Sequence, residues 1–199
     1  MTNANIRPEI LSHLSKDKKL AVLIENCAVS IQKGPIRVFD DLIRSIISQQ
    51  LSTRAAATIY GRFLESLDDK TSVSEQILNK DIHELRSYGL SFQKASYIQN
   101  VARHFDEHLL HSVHWNSWSD EEIIHELTKI KGVGKWTVEM ILMFSLYRED
   151  VLPLDDLIIR NNMISLYEVT SEKKQLISDL LAIAEPWRPY RTYACRYLW

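Results

Sequence analysis

The chain has 199 residues, of which 45% are hydrophobic and only 5 are glycine and 5 proline. That is enough apolar surface for a real core, in one domain or two closely joined lobes, and too few breakers for long loops. No apolar run is long enough to cross a membrane, Met1–Asp17 lacks the pattern of a signal peptide, and Cys27 and Cys195 supply neither a disulfide framework nor an iron–sulfur ligand set. An intracellular, reducing location is therefore expected. The net charge of −2 is unhelpful to nucleic-acid binding, since non-specific duplex affinity comes from cations on phosphates; a local basic patch would still serve.

Hydrophobic periodicity stays near that of an α-helix almost throughout, so the chain reads as all-α. Arg7–Lys16 and Asp17–Ile31 read as two helices, and Gly34-Pro35 breaks the chain. Val38–Ser48 is a strongly apolar helix ending near Gln49-Gln50. Ser52 is placed to cap Thr53–Leu67, whose Arg54-Ala55-Ala56-Ala57 opening is strongly helical. Short helices follow at Ser74–Leu78 and Asp81–Arg86, the second stopped by Gly89. Ser91 caps a long helix to about His108. Ser119-Asp120-Glu121-Glu122 puts acids in the first turn of the next, as the helix dipole favours. A further helix starts at about Lys135 and runs to about Tyr147. After Pro153 come Leu157–Tyr167, Glu172–Ala184 and a last helix opened by Pro189, a good first-turn residue.

The stretch Leu127–Ile159 carries the strongest functional signal. Two apolar helical patterns flank a turn in which Gly132 and Gly134 bracket Val133. Gly132 can take the positive φ that ends a helix. Gly134 lets the backbone approach whatever docks there. The helix restarting at Lys135 presents unpaired N–H groups and a partial positive charge, which suit a phosphate. Lys129, Lys131 and Lys135 add cationic charge around the same point. A connection that only packs explains the turn alone equally well. About twenty residues on stands Leu152-Pro153-Leu154-Asp155-Asp156-Leu157.

Together with Ile46-Ile47-Ser48-Gln49-Gln50-Leu51-Ser52, Leu85-Arg86-Ser87-Tyr88-Gly89-Leu90 and Trp187-Arg188-Pro189-Tyr190-Arg191-Thr192-Tyr193-Ala194, this order and spacing resembles the helix-hairpin-helix DNA glycosylase superfamily, and within it the AlkA-type 3-methyladenine glycosylases. The resemblance covers about Val38 to Trp199. It implies a two-lobed helical fold with a DNA-binding cleft. Residues 1–34 would pack with the C-terminal lobe, 35–146 would carry the hairpin, and 147–199 the catalytic aspartate. The extra N-terminal β domain of longer members is not expected, because the first thirty residues read as helix.

What the resemblance implies for chemistry is specific. Asp156 would be the catalytic carboxylate, stabilising an oxocarbenium-like sugar or activating the attacking water. It can equally cap the Leu157 helix, and both roles are compatible; Asp155 would be a structural neighbour. Trp136 occupies the position where strand-cutting relatives carry a Schiff-base lysine, so a monofunctional glycosylase without lyase activity is expected. Trp136 and Trp199 match base-pocket positions, with Tyr190 and Tyr193 weaker candidates, although aromatics at these places are as often core. Flipped, cationic bases stack well on such rings. Met140, one turn after Trp136, stands where the best-known AlkA-type pocket has an aromatic, which would narrow the substrate range or mark lost excision. Gln50 is the candidate wedge for the gap left by the flipped base, with Leu51 as fallback. Ser52, Thr53, Gly132, Val133, Gly134, Lys135, Trp136 and Thr137 would contact the DNA backbone. The main-chain carbonyls of Thr128, Ile130 and Val133 match positions that hold Na+ or K+ when DNA is bound; no other cofactor is expected.

His104, His108, His111 and His114 follow one helical face. A metal stripe is conceivable there, but no cysteine or carboxylate set completes it in the sequence, and a solvated face is the better reading. The expectation is thus a monomeric glycosylase that hydrolyses the N-glycosidic bond of alkylated purines in duplex DNA, acting in the nucleus of a eukaryote or the cytoplasm of a bacterium. The rival is a non-catalytic homologue that binds abasic or distorted DNA. A helical interaction domain with no role on DNA is the weaker third reading.

Overall fold

The chain opens with α1 (Pro8–Leu14) and α2 (Lys18–Asn26), followed by α3 (Val38–Ser48), α4 (Thr53–Glu65), α5 (Val73–Asn79), α6 (Ile82–Ser87), α7 (Phe92–Glu107) and α8 (Asp120–Leu127). The remaining α-helices are α9 (Lys135–Phe144), α10 (Leu157–Tyr167), α11 (Lys173–Ala184) and α12 (Arg191–Leu198). The computed structural model describes residues 5–199, so the first four residues of the expected 1–34 segment lie outside it. The described residues hold no strand, hence no β domain, and no helix among them is long and apolar enough to cross a membrane. They divide into two compact units, residues 5–35 with Leu142–Trp199, and Ile36–Ile141.

Local chemistry sets most helix starts. Ser52, Ser72, Ser91 and Ser119 each accept an amide N–H three residues on, and Asp81 accepts from His83 and Glu84. Glu122 returns a bond to the Ser119 amide, completing a capping box. Such caps are worth about 1 kcal/mol each.

In the Ile36–Ile141 unit, α7 is the spine, contacted by α3, α5 and α6. It buries Ala95, Ile98, Val101, Ala102 and Phe105, a helical stripe that excludes water from one face. The Ser74 hydroxyl donates to the Ala102 carbonyl at 3.0 Å and to Asp106 at 2.7 Å, fixing α5 along that stripe.

In the other unit α12 is the core helix, with Thr192, Tyr193, Ala194, Cys195, Tyr197 and Leu198 all buried, and α2 and α10 packed on it. Asp17 caps α2 and also accepts from the Tyr167 hydroxyl at 2.7 Å and Trp187 Nε1 at 3.0 Å. Burial opposes its ionisation, but those two donors and the Leu20 and Lys19 amides together hold its carboxyl below the usual range.

Three of the boundaries that differ from the sequence reading have a visible cause. α2 stops at Asn26, because Cys27 turns extended, rather than continuing to Ile31. α9 stops at Phe144, where Tyr147 takes φ +56° and the Arg148 N–H reaches back to the Leu142 carbonyl at 2.8 Å. The last helix begins at Arg191, not at Pro189, because the Thr192 N–H is bound by the Glu149 carbonyl at 3.0 Å and Asp150 draws in Arg191.

Candidate functional site

The hairpin is α8, a turn from Thr128 to Gly134, and α9. Gly132 sits at φ +108°, and a Cβ there would run into the ring of Tyr97 on α7. Only glycine fits both demands. On the same α7 face, Asn100 Nδ2 donates to the Lys131 carbonyl at 3.1 Å, and Tyr97 is itself held by Gln93 at 2.6 Å. Gly134 is different: no positive φ requires it and nothing lies within 4 Å of its would-be Cβ. The fold does not need a glycine there, whereas close approach of another molecule would.

Of the three hairpin lysines, two are paired with acids. Lys129 Nζ lies 2.6 Å from Glu126 and Lys135 Nζ 3.4 Å from the buried Glu139. Lys131 is exposed. The local basic patch is therefore weaker than the sequence suggests, and the amides at the start of α9 carry more of the anion-binding capacity. Thr137 is 2% exposed, which leaves its main chain and not its hydroxyl for any backbone contact. The Thr128 hydroxyl is committed to the Ile124 carbonyl at 2.6 Å. The Ile130 carbonyl accepts the Val133 N–H at 3.0 Å, which uses one of its two lone pairs.

The loop between α3 and α4 presents Gln50 exposed at φ +57°, followed by Leu51 at 38% exposure. A non-glycine residue in that region is uncommon and needs support from its surroundings. Lys94 supplies it: Nζ donates to the carbonyls of Ile47 at 2.8 Å and Gln49 at 2.6 Å, closing the C-terminal end of α3. Burial pushes the Lys94 ammonium below its usual pKa. Ser52 and Thr53 are exposed at the start of α4, with the Ser52 hydroxyl engaged as cap. A single helix, α7, thus fixes both the α3–α4 loop and the hairpin turn. Trp136 is 36% exposed in the first turn of α9, and Met140, one turn on, is half-buried.

Asp156 belongs to the other unit. It is 4% exposed and caps α10, with Oδ1 accepting from the amides of Ile158 and Ile159, each at 3.0 Å. Leu157 and Ile158 beside it are more than half exposed, so the carboxylate lies just beneath an apolar surface. The segment leading to it is pinned by the start of α12. Asp150 accepts from Arg191 Nε and Arg188 Nη1, each at 2.6 Å, and the Thr192 hydroxyl accepts the Val151 N–H at 2.9 Å and donates to the Arg148 carbonyl at 2.7 Å. Trp199 is 52% exposed, its ring tilted against Phe144 with centroids 5.0 Å apart; the Arg196 guanidinium covers the same Phe144 ring at 4.4 Å. Tyr190 packs edge-on to His13 and Tyr193, and Tyr193 is buried with its hydroxyl donating to Glu149 at 2.9 Å. Tyr193 serves the interior of its unit, whereas Tyr190 is half-buried with the Arg7 guanidinium 6.0 Å from its ring.

Sequence reasoning missed Lys94, Tyr97, Asn100, Phe144 and Arg196. Each acts through contacts that no local motif records. The one available signal was Phe144, which continues the four-residue spacing of Trp136 and Met140 along α9.

Comparison with known proteins follows the same lines. Residues 43–188 match the profile of the HhH-GPD superfamily of base excision DNA repair proteins. The chain is 35% identical to DNA-3-methyladenine glycosylase 1 of Schizosaccharomyces pombe, covering 100% of this chain and 86% of that one. It is 31% identical to a putative DNA-3-methyladenine glycosylase of Bacillus subtilis, covering 96% and 67%. Among solved structures it is similar to a DNA-3-methyladenine glycosidase of Bacillus halodurans (33% identity, TM-score 0.79, 98% and 89% covered). It is also similar to a 3-methyladenine DNA glycosylase of S. pombe in complex with abasic DNA (34% identity, TM-score 0.78, 96% and 95% covered).

Proposed function

Because this chain belongs to the HhH-GPD superfamily of base excision DNA repair proteins, we propose that it is a DNA glycosylase that removes alkylated purines of the 3-methyladenine type from duplex DNA. The observation that carries the reading is Asp156: a carboxylate buried to 4% exposure yet fixed by two amides at the head of α10, under an apolar surface. Low dielectric around such a group strengthens its pull on a nascent positive sugar. The C1′–N bond breaks with its electron pair going to the cationic base, which leaves neutral. Water then adds to C1′ and gives up its proton, with the carboxylate as acceptor. An alkylated base is already a good leaving group, so this modest machinery suffices, and no redox cofactor is needed.

The remaining roles follow the same proposal. Gln50, with Leu51 behind it, fills the gap in the duplex; Trp136, Met140 and Trp199 offer faces to the extruded base. Gly132, Val133, Gly134, Lys135 and the Trp136 and Thr137 amides, with Ser52 and Thr53, bind the strand. The carbonyls of Thr128, Ile130 and Val133 hold Na+ or K+ when DNA is bound, and the spare lone pair on Ile130 suits that role. Trp136 in place of a lysine leaves no amine at that position to attack the sugar, so the product is an intact abasic site.

The test is release of free base from a methylated duplex by wild type, Asp156→Asn and Asp156→Ala. Asparagine caps a helix about as well as aspartate, while alanine costs about 1 kcal/mol. Asp156→Asn should therefore fold normally and release no base, and borohydride should trap no covalent complex with abasic DNA. Full release by Asp156→Asn would refute the role. Tight abasic-DNA binding by a wild type that releases nothing would favour the non-catalytic reading, for which Met140 in the aromatic position is the specific pointer.

A further inference from the structure

The four histidines at the end of α7 do not form one stripe. His111 turns to Asp106, 3.1 Å away, and packs on Phe39 at 4.8 Å, while His114 follows in the next loop. His104 and His108 stay together, one helical turn apart with ring centroids 4.2 Å from each other. The carboxylate that the sequence did not appear to supply comes from the last turn of α8. Glu126 Oε1 lies 2.9 Å from His104 Nε2 and 3.9 Å from His108 Nδ1, and the three candidate ligand atoms all fall within 4.8 Å of one another.

We propose that His104, His108 and Glu126 form a binding site for a divalent transition metal of the zinc class, one that staples α7 to the first helix of the hairpin. Two imidazoles and a carboxylate are a borderline donor set, suited to Zn2+ and poorly suited to Mg2+ or Ca2+. Metal–ligand bonds of about 2.0–2.2 Å place tetrahedral ligand atoms about 3.3 Å apart. The observed spacings bracket that value, so side-chain rotation closes the site without moving either helix. Access is open on one side, since His108 is 49% exposed while His104 and Glu126 are 13% exposed. Water supplies the fourth ligand from that side.

One cation already competes for the site. Lys129 Nζ lies 2.6 Å from Glu126 Oε2 and, with His104, holds the Glu126 carboxyl below its usual range, Lys129 being the larger cause. A metal on Glu126 would take over that neutralisation and loosen Lys129, which stands at the hairpin turn. Metal occupancy and hairpin charge are therefore linked through one carboxylate.

The experiment is calorimetric titration of the chelator-treated full-length protein with Zn2+, paired with the visible absorption of the Co2+ form. Wild type should bind one equivalent with micromolar or tighter affinity, give a tetrahedral Co2+ band and melt higher with Zn2+ present. His108→Ala and Glu126→Gln should each lose more than the about 10- to 100-fold typical of removing an outer-shell partner. Lys129→Met, which removes the competitor, should bind a few-fold more tightly; a purely structural Glu126–Lys129 pair predicts no gain. Metal-free melts of the variants separate loss of ligand from loss of fold. No saturable binding by wild type, or binding unchanged in both His108→Ala and Glu126→Gln, overturns the proposal.

Discussion

The two hairpin glycines make opposite demands, and replacing each by alanine separates fold from recognition. At Gly132 the backbone sits at φ +108° and the new methyl would overlap the near end of the Tyr97 ring, which would have to shift and give up its bond from Gln93. Forcing a side chain into a sparsely populated backbone region costs about 1–3 kcal/mol. Overpacking against that ring costs a further 1–3 kcal/mol or so. Gly132→Ala should therefore lose about 3 kcal/mol, which for a chain of this size lowers the melting temperature by roughly 6–12 °C. At Gly134 neither cost applies, because no positive φ is required and no atom lies within 4 Å. Gly134→Ala should melt within about 0.5 kcal/mol of wild type, as a surface substitution does, yet bind an abasic duplex at least tenfold more weakly. Thermal melts give the first quantity and fluorescence anisotropy with labelled duplex the second. Equal stability of the two variants would refute the steric argument at Tyr97. Undiminished binding by Gly134→Ala would remove Gly134 from the proposed interface.

Two further perturbations probe the supports of the site. Lys94→Met leaves the Ile47 and Gln49 carbonyls without the ammonium that now bonds both; a bond from a charged donor is worth about 1.5–3 kcal/mol, part of which is offset by no longer burying the charge. Faster amide exchange at Gln50–Ser52 and weaker abasic-DNA binding should follow, and unchanged loop protection would contradict the clamp. Asp17→Asn keeps an acceptor for the α2 amides but turns an amide group toward the Tyr167 and Trp187 donors, so a loss of about 1–3 kcal/mol is expected at neutral pH. Because the folded Asp17 carboxyl titrates below its unfolded value, its contribution is complete above about pH 4–5 and disappears as the pH falls through the depressed folded value. Wild type and Asp17→Asn should therefore converge in stability on the acid side, which urea melts at pH 7 and pH 3 would check.

What could be seen in the sequence depended on the reach of each interaction. Ser52 and Ser91 were readable as caps because each bonds an amide three residues away. Val38–Ser48 was readable to the residue from its apolar spacing alone, and Leu157–Tyr167 from its spacing together with the Asp156 cap. Gly132 was readable as a backbone device, but not its reason, since Tyr97 lies on another helix. Lys94 reaches 45 and 47 residues back, and Asp17 receives Trp187 from 170 residues away. No periodicity encodes such pairs. Pro189 misled because a proline suits the first turn of any helix, whereas here the start of α12 is set by Glu149 and Asp150.

The charge of the hairpin makes the same point about function. Three lysines in seven residues suggest an electrostatic grip, yet Glu126 and Glu139 neutralise two of them from within the fold. In the proposed interface such a surface would hold a phosphate chiefly by fixed amides whose geometry is set in advance, with little general attraction to polyanions. That is consistent with a net charge of −2 in a protein of the DNA-repair superfamily: discrimination then rests on whether a strand fits the turn. Glu126 stands at the junction, since it takes Lys129 on one oxygen and His104 on the other. Any cation that displaced Lys129 from it would return a positive charge to the hairpin, so the same carboxylate that weakens the basic patch is also the group through which it could be restored.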